Sequence, residues 1–60
     1  PLAARIRAQL SAAPIGANQL ARALGAPAAE VAAAISELEI AGELIRHPGG
    51  AVGAPPPERR

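Results

Sequence analysis

Three apolar-periodic stretches, two glycine-marked stops and a Pro-Gly-Gly turn near the end predict a mainly α fold. The expected form is a three-helix winged helix-turn-helix with a small C-terminal β-hairpin wing. The chain has 60 residues, enough for one domain. It divides into a folded part over 1–53 and a Pro-rich tail over 54–60, expected to be disordered.

The first helix is predicted over Leu2–Leu10, where Leu2, Ile6 and Leu10 recur at i, i+4 and i+8 on one face. Arg5, Arg7 and Gln9 point mostly elsewhere. Ser11-Ala12-Ala13-Pro14 stops it, because a residue before proline avoids the α region. Ile15, between Pro14 and Gly16, fits a one- or two-residue extended bridge. Ala17–Leu24 reads as a short second helix burying Leu20, Ala21 and Leu24. Gly16 is a weak N-cap for it, and Gly25 a C′ residue.

The third helix is the longest periodic segment, Pro27 to Gly42. Pro27 suits the first helical position, Glu30 complements the helix N-terminus, and Gly42 is the expected stop. Val31, Ala34, Ile35, Leu38 and Ala41 form its apolar stripe. After it, Glu43–His47 can form a strand, Pro48-Gly49-Gly50 a turn, and Ala51–Gly53 the return strand. Ala54 to Arg60 holds three consecutive prolines and reads as an extended, mobile tail. The expected core is Leu2, Ile6, Leu10, Ile15, Leu20, Leu24, Val31, Ile35, Leu38, Leu44 and Val52.

Cysteine, methionine and aromatic residues are all absent, so Leu, Ile, Val and Ala must build that core without a disulfide. The formal net charge is +1, too small for the basic footprint of a strong nucleic-acid binder. No stretch approaches the roughly 20 apolar residues of a membrane span, and no signal peptide is visible, so a cytoplasmic protein is expected. Because the chain begins at Pro1 rather than Met, it is expected to be part of something larger.

Candidate chemistry is sparse. One histidine, no aspartate and no glycine-rich phosphate loop give catalysis no support, so the chain is expected not to be an enzyme and to need no cofactor or metal. His47 reads as an ordinary hairpin residue. Glu37 and Glu39 diverge around the helix, and Glu39 and Glu43 read as a solvated face. For nucleic acid, Arg22 and Arg46 are candidate phosphate contacts, with Asn18 and Gln19 as backbone donors. Arg5 and Arg7 remain further options, although a solvated surface charge is the commoner role. A reading helix would present basic or amide side chains outward. This one instead turns Ala29, Ala33, Ser36 and Ile40 away from the core, with Glu30 and Glu37 along one border and Glu39 on the other. That small, apolar, acid-rimmed face is a candidate partner surface. Alanine's helix propensity is the plain alternative explanation.

From Leu10 to Gly50 the sequence resembles the C-terminal winged-helix domain of the DNA-processing protein A family (DprA, also called Smf). The resemblance lies in Leu20-Ala21-Arg22, in Gly25-x-Pro27-x-x-Glu30-Val31, and in Leu38-Glu39-Ile40-Ala41-Gly42 followed by Pro48-Gly49-Gly50. It departs from the family pattern at Glu43, where an apolar residue is usual. It departs again at Ala51 and Val52, where an arginine and an aromatic are common, so the wing is expected to lack its phosphate contact and its packing anchor. The resemblance implies an accessory module of a protein that binds incoming single-stranded DNA and loads the RecA recombinase in natural transformation. It implies a Rossmann-like domain elsewhere in the protein as the module's partner, with self-association and RecA as further contacts. Neither a membrane nor a small-molecule substrate is expected. A double-stranded DNA binder of transcription-regulator type is the competing reading.

Overall fold

The computed structural model describes residues 1–56. Among these, three helices and three short strands follow the order α1 (Leu2–Gln9), β1 (Ile15–Gly16), α2 (Ala17–Leu24), α3 (Ala28–Ile40), β2 (Ile45–Arg46) and β3 (Ala51–Gly53). The architecture is the expected winged helix: mainly helical, with a small antiparallel sheet. Residues 57–60, including most of the predicted tail, lie outside the described residues.

Local chemistry sets the helix ends. Gly25 adopts φ +65° after α2, and Gly42 adopts φ +78° after α3, a region that costs glycine nothing. At each end two backbone bonds close the same motif. The N–H groups of Gly25 and Ala26 donate to the carbonyls of Arg22 and Ala21. Those of Gly42 and Glu43 donate to Glu39 and Leu38, 3.0 and 2.9 Å away. This pairing satisfies carbonyls that a helix end otherwise leaves open. Pro27 is not the first helical residue, as expected, but the N-cap. It is extended (φ −61°, ψ 141°), and its carbonyl accepts from Glu30 and Val31. α1 stops one residue short of the predicted Leu10, which turns extended at ψ 144°.

The sheet has order β1-β3-β2, so the last strand sits in the middle. Ile15 pairs with Val52, and Arg46 pairs with Val52 from the other side. The extended bridge expected at Ile15 is thus a true edge strand that ties the wing to the helical body.

Ile6, Leu20, Ala21, Leu24, Val31, Ala34, Ile35, Leu38, Leu44 and Val52 form one buried cluster. Leu2, Leu10 and Ile15, expected in the core, are only partly buried and pack against its edge. Leu2 and Ile15 belong to terminal or edge elements and Leu10 lies just past α1, so each has neighbours on one side only. Ala21 and Ala34 join the core in their place, as small residues do where helices approach closely. Ala41, predicted to close the α3 stripe, is exposed because the helix ends before it. The wing does not lack a packing anchor: Val52 is fully buried (0% exposed), filling from mid-sheet the place expected of an aromatic.

Candidate functional site

On α3 the core stripe and the outer stripe lie on opposite sides. Val31, Ala34, Ile35 and Leu38 face inward. Ala29, Ala33, Ser36 and Ile40 are all exposed, and Ile40 is 88% so, the one large hydrophobic left in solvent among the described residues. Burying such a side chain would stabilise a contact by about 1.5–3 kcal/mol. Glu30 and Glu37 flank this stripe and make no ion pair among the described residues.

The structure brings one predicted nucleic-acid residue onto the predicted partner surface. Arg46 reaches back from β2 across the helix. Its Nε donates to Glu39 Oε1 at 2.6 Å, and its Nη2 donates to Ser36 Oγ at 3.3 Å. The pair is half-exposed, so its net stabilisation is small, about 0–1 kcal/mol. Its electrostatic consequence is larger. Arg46, the cation on the outer face of α3 among the described residues, is already matched with a carboxylate, which weakens its field on a phosphate.

Arg7 and Arg5 are placed just as specifically. Arg7 Nη1 pairs with Glu43 Oε1 at 2.8 Å, joining α1 to the segment after α3. Arg5 Nη2 donates to the carbonyl of Leu24 at 2.7 Å, capping the C-terminal end of α2. Glu39 and Glu43 are therefore not simply a solvated face: each holds an arginine. Glu43, the apolar position of the family pattern, has instead become an anchor for α1. Nothing local in the sequence announced these contacts, because their partners lie 7, 19 and 36 positions apart.

Arg22 differs from these three. It is exposed and makes no ion pair or side-chain hydrogen bond among the described residues. With Asn18 it lines an open depression at the α2–α3 turn, together with Ala21, Gly25, Ala26 and Ala28. Gln19, predicted to stand beside them as a donor, turns back instead. Its Oε1 accepts from the N–H of Gly16 at 3.3 Å, satisfying the start of its own helix. His47 is half-buried, with its ring against Gly53. No group of three or more His, Cys, Asp or Glu gathers as a metal site among the described residues. No described helix is long and apolar enough to cross a membrane.

A family model described as the DprA winged helix domain matches residues 1–50. The chain belongs to this family. The match takes in α1, which the Leu10–Gly50 resemblance had left out, and it stops before β3. The central strand of the DprA wing here, with Val52 in it, thus lies beyond the matched region. No curated protein and no solved structure matches the chain.

Proposed function

We propose that this chain is the accessory C-terminal winged-helix module of a DprA-like DNA-processing protein and acts mainly through protein contacts. The observation that carries this reading is the outward face of α3. Among the described residues it presents Ala29, Ala33, Ser36 and Ile40 with no free cation, and the arginine beside it, Arg46, is paired to Glu39. A helix that reads DNA needs donors or cations there. A protein partner needs apolar surface there, and Ile40 supplies it. In this reading the whole protein binds single-stranded DNA and loads RecA in natural transformation, in the cytoplasm. The module's first partner is the Rossmann-like domain of the same protein, with self-association or a recombination partner as the other contacts. Its role is non-catalytic.

Arg22 and Asn18 favour the second reading, a double-stranded DNA binder, because they leave a cation and an amide open at the α2–α3 turn. Fluorescence anisotropy of the chain against labelled single- and double-stranded DNA, at two salt concentrations, separates the two. The expected outcome is no appreciable binding even at low salt. Binding that weakens as salt rises, and weakens again in Arg22→Ala or Arg46→Ala, would make the arginines the site and overturn the protein-contact reading.

A further inference from the structure

The spacing of the exposed residues on α3 is more specific than a patch. Positions 29, 33, 36 and 40 are separated by four, three and four residues. That is the alternation of a coiled-coil seam, with Ala29 and Ser36 as d positions and Ala33 and Ile40 as a positions. In the same frame Glu30 and Glu37 are the two e positions, about 10.5 Å apart along one edge. The g edge holds Ala32 and Glu39. Arg46 lies on that second edge, bonded to Glu39 and to Ser36 of the seam. The helix therefore offers a shallow apolar seam with one edge closed by the wing and one edge acidic and open.

This deepens the protein-contact reading and rests on it. We infer that the outer face of α3 receives a basic amphipathic helix: apolar residues on its seam, and two Lys or Arg seven residues apart to meet Glu30 and Glu37. Charge decides the occupant. In a second copy packed antiparallel on this seam, Glu30 and Glu37 would face the same two acids. Packed parallel, the edge opposite them would offer Ala32 and Glu39, whose neighbouring cation, Arg46, is already paired to Glu39. Like charges across an interface are costly, whereas complementary ones fix partner and register. The small seam residues admit a close approach, and Ile40 at one end supplies the main apolar anchor.

The test uses two synthetic helical peptides with the same leucine-alanine seam, one with lysines flanking it and one with glutamates. Binding to the chain is read by anisotropy. The lysine peptide is expected to bind at least about tenfold tighter than its glutamate twin. Ile40→Glu should abolish that binding. Glu30→Lys/Glu37→Lys should reverse the preference, and Glu37→Lys alone, which leaves the helix N-terminus intact, should reduce it. Failure of the lysine peptide to bind, equal binding of both, or binding indifferent to Ile40→Glu would overturn the basic-helix proposal. If the chain instead self-associates in sedimentation equilibrium and Ile40→Glu abolishes this, the occupant is a second copy, and the protein-contact reading survives without the proposal. If no peptide binds, no self-association occurs and DNA binds through Arg22, both fall together.

Discussion

At Gly53 a hydrogen stands where any other residue would carry a carbon. A Cβ built there would lie 3.2 Å from the carbonyl oxygen of Ser11 and 3.2 Å from His47 Nε2. The ring can swing aside, but the carbonyl cannot move freely, because it accepts the N–H of Ala54 at 2.9 Å. Gly53→Ala should therefore destabilise the chain by about 1 kcal/mol or more through overpacking. In a chain this short that appears as a fall in Tm of about 4–8 °C per kcal/mol. Adding His47→Ala should restore less than half of the loss. Full restoration would show that the ring, not the backbone, set the limit. This constraint was not visible in the sequence, where Gly53 read only as the last residue of the return strand. It arises because β3 is the middle strand and passes under the α1–β1 segment.

The helices were legible because their determinants are local. The stripes at Leu20-Ala21-Leu24 and Val31-Ala34-Ile35-Leu38 fall on the buried faces, and Gly25 and Gly42 terminate their helices with the predicted left-handed geometry. The outer stripe of α3 was legible for the same reason, since a 100° advance per residue fixes which side chains oppose the core. The strand order was not legible: strands of two or three residues carry no periodicity, and their pairing is set by the body they close against. The ties between elements were equally hidden. Arg5 read as a surface charge, yet it caps α2 from α1. A charge-assisted bond to an otherwise open carbonyl is the stronger kind. Arg5→Ala should cost about 1 kcal/mol in urea unfolding and should do so nearly independently of salt. Arg7→Ala removes only a half-exposed ion pair and should cost less than about 0.5 kcal/mol, a difference that 0.5 M salt erases. Equal costs for the two, or a salt-sensitive Arg5 effect, would refute this ranking of the ties.

For the whole molecule, the position of β3 between β1 and β2 makes the wing part of the body rather than an appendage. Ile15 enters the sheet before α2 begins, and Val52 pairs with it on one side and with Arg46 on the other. The same Val52 side chain belongs to the cluster that holds Ile6, Leu20, Val31 and Ile35. The helices and the sheet therefore share one core, built from aliphatic residues and alanine without a single aromatic. A core of that kind leaves little reserve, because stability in chains of this size is on the order of 3–9 kcal/mol. Val52→Ala would leave a cavity at the junction of the two layers and should cost about 2 kcal/mol. Because the layers share that junction, the cost should fall on both at once. Far-UV circular dichroism, which follows the helices, and the amide resonances of Arg46 and Val52, which follow the wing, should shift to the same lower midpoint and stay superimposable. A wing that melts well before the helices would show the sheet to be only loosely attached. The outer face of α3 would then be supported by the helical body alone, with Arg46 free to leave Glu39.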